Sequence, residues 1–307
     1  MTQEELNAII EKHKHWLESD CEDWQNMRAK LSDVFCSKLD FQDANLRGAV
    51  IWDVSFIGCN MDGADFTSAT FHDVRFDNCS LNDSIFDQTS LNFCSFTRSL
   101  ADCASFIKAH IQESSFVKMD LGRTSFSEAL IHTTVFQSVN LTMADFYRAS
   151  FRDTNMEKSS LICKFEKADM SGLKFQSCLV EGIMLKDATN IPYIPMTCPE
   201  TGSFIGYKKA LGGVIIELEI PGDAKRSSAT GRKCRCNKAY VRAIYKRNNI
   251  GKWIEITEAH STFDVTFMYK VGEMVKVDNF DENRWNECAP GIHFFISKQE
   301  AIDYGRW

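Results

Sequence analysis

Large apolar side chains recur every five residues through the middle of this 307-residue chain. From Phe41 to Leu161 there are 25 such positions, and 24 hold Phe, Leu, Ile or Met, with Ala101 the exception. Two residues before each, the side chain is Ala, Cys, Ser, Thr or Val, except at Leu39 and Met119. A helix needs apolar residues at a period near 3.6 and a half-buried strand at a period of 2, so neither fits. A second period of 20 lies over the first. Leu46, Phe66, Phe86, Phe106, Phe126 and Phe146 fall in one column. Phe56, Phe76, Phe96, Phe116 and Phe136 fall in another, which ends at Met156, and the remaining two columns are mostly Leu and Ile. A backbone that turns a corner every five residues and closes a coil every 20 satisfies both periods. Coils stacked at the strand spacing of about 4.8 Å would line up like residues into one core that no single repeat could bury alone.

Ala44-Asn45-Leu46, Ala64-Asp65-Phe66 and Ala144-Asp145-Phe146 carry a small residue, Asp or Asn, then Leu or Phe. This pattern resembles the pentapeptide-repeat family over residues 39–190. The resemblance implies a right-handed quadrilateral β-helix, a solenoid of mainly β character. Two irregularities carry expectations. After Leu161 the register shifts by one residue and continues through Phe165, Met170, Phe175, Val180 and Leu185, which predicts a tightened corner or kink. Met119, oversized for its site, is expected to point inward and fill the space that Ala101 leaves. Cys59, Cys79, Cys94, Cys163 and Cys178 take small inward sites and are read as buried thiols.

Residues 1–38 read as an N-terminal helical cap, since an open solenoid end invites edge pairing. Thr2-x-x-Glu5 fits a capping box, Leu6, Ile9, Ile10, His13, Trp16 and Leu17 follow helical spacing, and a second helix is expected through Trp24, Met27 and Leu31. His13 and His15 have no carboxylate or Cys at ligand spacing and are read as lid histidines. Residues 191–202, which hold three of the five prolines, read as a linker. Residues 203–307 form a small β-rich or α+β domain, with strand-like runs at 214–220, 238–245, 253–257, 266–277 and 291–297. Ser297-x-x-Glu300 is a capping box for a final short helix. Phrases such as YKVGEMVKV and FDENRWNECAPGIHFF resemble an uncharacterised domain that accompanies pentapeptide repeats in bacterial and phage proteins, and no chemistry comes with that resemblance.

Charge separates the parts. Residues 1–38 hold 5 basic and 8 acidic groups, residues 39–190 hold 13 and 20, and residues 191–307 hold 17 and 14. The acidic N-terminal stretch is not a secretory signal, and no apolar run reaches the 18 or more residues of a membrane helix. Twelve cysteines without such a signal predict reduced thiols and a cytoplasmic location. Nine basic residues and no acidic one lie between Ala224 and Arg247. Lys225, Arg226, Ser227, Ser228, Thr230, Arg232, Lys233 and Arg235 could together hold a phosphate or another anion, although the P-loop spacing is absent. The competing reading is a solvated basic hairpin. Cys198, Cys234, Cys236, Cys288, His260 and His293 lack paired zinc knuckles, and Cys288 with His293 is a weak nucleophile–base pair. No metal or cofactor motif emerges, and the solenoid offers no catalytic grouping.

Asp40, Asp43, Asp62, Asp83, Asp102 and Asp120 share one solenoid face with Arg123, while Arg75, Arg98, Lys118 and Lys158 make another mildly positive. The resemblance raises DNA mimicry against topoisomerases, as in gyrase-protection factors. Duplex DNA carries one charge per ~1.7 Å, so a length of ~36 Å would carry about 21. The net charge of −7 over residues 39–190 is a third of that. The sequence therefore favours a non-enzymatic scaffold or adaptor that presents a rigid surface and a C-terminal binding domain to protein partners. Direct nucleic-acid binding by the solenoid and membrane association are not expected. Two alternatives are a DNA-mimicking topoisomerase inhibitor or protector and a C-terminal domain that binds or acts on a phosphate-bearing ligand through the basic 225–235 loop.

Overall fold

A computed structural model describes residues 1–180, 182–229, 231–285 and 288–305. Two compact units divide the chain at Tyr193 and Ile194. The first is a β-solenoid of about seven turns preceded by a helix.

Residues 20 apart pair in parallel throughout the early coils: Val50–Ile57 lies on Thr70–Asp77 with Ile51 opposite Phe71 and Phe56 opposite Phe76. Every inward residue of the two Phe columns from Phe56 to Phe146 is 0–1% exposed. Phe86 and Phe106 stack at 4.8 Å with planes 4° apart, and Phe96 and Phe116 at 4.8 Å and 3°. Between the columns the rings meet edge to face, Phe96 against Phe106 at 6.3 Å and 84°. Such pairs add about 0.5–1.5 kcal/mol beyond the area they bury. Met119 is 3% exposed and Ala101 1%, so the oversized side chain does point inward.

The corners reveal a feature that residue types announce only in part, through glycines such as Gly48, Gly58 and Gly63. Every fifth residue adopts a left-handed backbone, whether it is Asp83 (φ 56°), Phe93 (φ 57°), Arg123 (φ 55°) or Met143 (φ 62°). A side chain there costs about 1–2 kcal/mol. The conformation turns the N–H toward the next coil: Asp83 N donates to Asp102 O at 3.0 Å and Arg123 N to Thr142 O at 2.9 Å. The deletion after Leu161 removes one of these residues, since no positive φ occurs between Lys158 and Lys167. The corner tightens and pairing continues with an offset of 19, Asp145 opposite Lys164 and Thr154 opposite Leu173.

At the N-terminus the helix Gln3–Glu18 carries the expected capping box between Thr2 and Glu5. His13 is fully buried and bridges two segments. It accepts from Ala29 N through Nδ1 at 3.0 Å, which leaves Nε2–H to donate to Arg47 O at 3.0 Å. Burial chiefly lowers its pKa and keeps the ring neutral. The second expected helix is only a single turn, Trp24–Met27, and Lys30–Ser37 is a solenoid strand paired with Val50–Ile57. The cap therefore ends before residue 38, because Leu31 and Cys36 already point inward on the five-residue repeat.

From Ile194 onward the segment expected as a linker belongs to the second unit, where Ile194 and Cys198 are 3% and 2% exposed. An antiparallel sheet runs in the order Phe204–Lys209, Ile215–Ile220, Lys238–Arg247, Trp253–Ile256, with Met274–Lys276 on the start of the long strand. A smaller sheet joins Arg226–Ser228, Cys234–Cys236 and Ile292–Phe294. Tyr207 bridges to Phe295, which ties the two sheets together. The final helix Lys298–Asp303 starts on the Ser297–Glu300 capping box.

Candidate functional site

The basic segment of the second unit does not gather around one point. Cys234–Cys236 is the central strand of the smaller sheet, so alternate side chains leave in opposite directions. Arg235 is 2% exposed and donates to the carbonyls of Asp281, Asn283 (2.5 Å) and Pro290 (3.4 Å), with its guanidinium 5.0 Å over the Phe280 ring. Arg226 donates to the carbonyls of Gly202 and Pro221 at 2.7 Å each. Both arginines fasten irregular backbone. Arg232 pairs with Glu300 at 2.6 Å, and Lys225 pairs with Glu282. Ser228 accepts from Thr197 N at 2.8 Å, whereas the buried Ser227 hydroxyl has no partner among the described residues. Thr230 lies outside the described residues. A phosphate cradle of all eight residues is not what this arrangement provides. Among the described ones of the eight, Lys233 lines the main cleft of the unit.

That cavity is a cleft with two adjoining parts, about 360 and 620 Å³, which share Lys208, Lys233, Phe263, His293 and Tyr304. Lys208 arrives from the strand Phe204–Lys209, where Gly206 and Lys208 are the buried positions. Gly206 has no side chain because a Cβ there would come within 2.6 Å of the Phe294 ring. Two residues on, Lys208 follows the same face and is only 7% exposed. Its ammonium donates to His293 O at 3.3 Å and lies 5.8 Å from the Tyr269 ring centre. Burial, with the nearby Lys233 charge second, pulls its pKa down to about 8. The 214–220 run marks a strand in the sequence but Phe204–Lys209 does not stand out, so Lys208 was missed. Its signal was the alternation Phe204, Gly206, Lys208, Ala210.

The zinc and nucleophile candidates fall into two groups, with the Cys198 and Cys234 thiols in contact in one and Cys288 and His293 in the other. Cys198, Cys234 and Cys236 are buried in the second core, while Cys288 is exposed and lines the wider part of the cleft with His293. All twelve cysteines are unpaired thiols. In the first unit, His15 does acquire partners: the turn after the helix brings Asp20 and Cys21 within 4.8 Å of it and of one another. Sequence spacing alone did not show this, because the chain reverses at Ser19 (φ 53°). The acidic face is partly spent on its own backbone and neighbours. Asp62 accepts from Ser80 Oγ at 2.6 Å and Asn82 N at 2.8 Å, Asp120 from Asn140 Nδ2 at 2.9 Å, and Asp102 pairs with Arg123. Asp40, Asp43 and Asp83 are exposed. On the opposite charge pattern, Asp77 is 4% exposed and takes both Arg98 (2.7 Å) and Arg75 (2.8 Å).

Residues 29–106 match the model of the pentapeptide repeat region, and residues 194–301 match a family of unknown function (DUF5758). The chain carries a pentapeptide-repeat region and a DUF5758 domain. An uncharacterized protein of Acanthamoeba polyphaga mimivirus is 34% identical over 96 residues, which is 29% of this chain and 61% of that protein's length. Two solved pentapeptide-repeat structures resemble the chain. QnrB1, a plasmid-mediated fluoroquinolone resistance protein, is 19% identical with a TM-score of 0.35, over 48% of this chain and 80% of that one. HetL of the cyanobacterium Nostoc sp. strain PCC 7120, involved in heterocyst differentiation regulation, is 15% identical with a TM-score of 0.35, over 52% and 89%. Outside the repeat, the DUF5758 domain supplies the cleft, and the pentapeptide-repeat region supplies regular outward faces.

Proposed function

We propose that this pentapeptide-repeat protein is a non-enzymatic scaffold whose solenoid holds protein partners on an outward face. The reading rests on one feature of that face. Trp52 and His72 stand opposite one another in register on neighbouring strands, and Phe93 follows on the next coil. Trp52 is 55% exposed and Phe93 47%, with the His72 and Phe93 rings 5.3 Å apart. Each backbone position is fixed by hydrogen bonds to the coils on either side, so only side-chain torsions are left to order on binding. Large aromatic side chains, Trp above all, are among the residues that dominate protein–protein affinity. The twelve free thiols suit a reducing compartment.

The test is crosslinked affinity capture with the full chain in cells that express it, alongside a Trp52→Ala/Phe93→Ala variant and an Asp40→Asn control. Specific proteins should be retained by the unaltered chain and by the control, and lost at least tenfold in the double variant. Equal capture by the double variant would remove this face from the proposal.

A further inference from the structure

We infer that the cleft of the C-terminal unit is a binding site for a small organic anion with a flat apolar body. Four observations carry it. The cleft is of small-molecule size, at about 360 and 620 Å³ in its two adjoining parts. Two ammonium groups, Lys208 and Lys233, line both parts. Among the described residues, neither forms an ion pair. Aromatic walls surround them: Phe263, Phe267, Tyr269, Phe295 and Tyr304.

A buried cation without a carboxylate is costly, and proteins ordinarily pair it. Lys208 has one backbone carbonyl, that of His293 at 3.3 Å, and no anion. Lys233 rests 5.6 Å from the Tyr304 ring, a cation–π contact that leaves its other donors open. After burial, the charge of Lys233 is the second cause that lowers the pKa of Lys208. An anion between them would relieve both the burial cost and the mutual repulsion. The carboxylate on the cleft's rim does not serve this purpose. Asp264 is exposed and accepts from both the backbone N–H (2.9 Å) and the hydroxyl (2.5 Å) of Thr266 in its own turn.

The apolar walls decide what kind of anion. Inorganic phosphate would leave the rings of Phe263 and Phe267 facing water, and Phe263 is already 79% exposed at the mouth. A carboxylate, sulfonate or phosphate ester on a planar ring system uses both features, since its head meets the lysines and its body covers the aromatics. This site is separate from the solenoid face proposed above and stands or falls without it.

The probe is 8-anilinonaphthalene-1-sulfonate, titrated into the full chain at pH 7 and read by fluorescence and calorimetric stoichiometry. One saturable site is expected, weakened at least tenfold in Lys208→Met and in Lys233→Met. N-phenyl-1-naphthylamine, which keeps the rings but lacks the sulfonate, should bind at least tenfold more weakly than the sulfonate. Inorganic phosphate at millimolar concentration should fail to displace the probe. Lys233 is only half-buried on a strand end, so its variant carries the test if Lys208→Met does not fold. Absence of a saturable site, unchanged affinity in Lys233→Met, equal binding of the neutral analogue, or displacement by phosphate alone would each overturn the inference.

Discussion

Replacing Phe106 by alanine tests the solenoid core at its middle. Phe106 is 1% exposed, stacks on Phe86 at 4.8 Å and on Phe126 at 4.9 Å, and meets Phe96 and Phe116 edge to face at 6.3 and 6.0 Å. Truncation of a buried Phe costs about 3–5 kcal/mol where the site cannot collapse. Here the coils above and below are fixed by backbone hydrogen bonds, including Phe86 N to Ser105 O at 2.6 Å and Phe106 N to Ser125 O at 2.7 Å, so little collapse is available. The upper half of that range, about 4 kcal/mol, is expected. Phe106→Leu keeps most of the volume and loses chiefly four aromatic pair terms, about 2 kcal/mol at their lower bound. Phe175, half-buried near the last coils with Phe165 at 6.2 Å as its ring neighbour, sets the comparison. Phe175→Ala should cost less than half as much as Phe106→Ala. Urea unfolding of the full chain, followed by hydrogen exchange in solenoid peptides, measures all three. A loss below about 1 kcal/mol in Phe106→Ala, or an equal loss in Phe175→Ala, would refute the stacked-column account.

Three further outcomes follow from the second unit and the thiols. Lys208 has a folded pKa of about 8, below the ordinary 10.5, so the unfolded chain binds more protons between these values and stability rises with pH there. The cost is fully present below pH 8, and any stability advantage of Lys208→Met over the unaltered chain should shrink by about 2–3 kcal/mol between pH 7 and pH 10, read by exchange in second-unit peptides. Arg235→Ala strands the carbonyls of Asp281, Asn283 and Pro290. It should destabilise the second unit by about 3 kcal/mol or more, and Arg235→Lys should restore only part of this, as thermal unfolding will show. Burial raises the thiol pKa of Cys36 to about 11 and of Cys94 and Cys236 to about 12. Labelling at pH 8 followed by mass spectrometry should therefore modify the exposed Cys288 first and leave these three untouched until unfolding.

The periods of five and 20 were legible because the coil geometry repeats and each inward position tolerates few residue types. The same pattern reached back to Leu31 and Cys36, but Trp24, Met27 and Leu31 also fit helical spacing, and three residues cannot decide between two periods. The left-handed corners marked residue type only in part: Gly48, Gly58, Gly63, Gly172 and Gly182 sit there, as do Asp43, Asp53, Asp73 and Asp83, but so do bulkier side chains. Phe93, Met143 and Arg148 all adopt them, because the bond from their N–H to the next coil enforces the backbone whatever the side chain. In the second unit the partners lie far apart in sequence. Lys208 is buried by a strand 85 residues downstream, and Arg235 is enclosed by carbonyls 46 to 55 residues away. In the sequence the nine charges read as one basic segment, while long-range pairing buries Arg235 and ties others to separate segments. Among the described ones of the expected ligand residues, only Lys233 reaches the cleft.

The central claim is that positions 20 residues apart stack one above another in a four-cornered tube. Spin labels at Asp53 and Asp153, two left-handed corner positions five coils apart, test it by pulsed dipolar spectroscopy after Cys21, Cys103, Cys178 and Cys288 are changed to serine. Five coils at about 4.8 Å place the two backbones about 24 Å apart, and labels at Asp73 and Asp153 should shorten this by one coil, about 5 Å. A narrow distribution with that step is the predicted result. A broad distribution, or no shortening from Asp53 to Asp73, would contradict the tube.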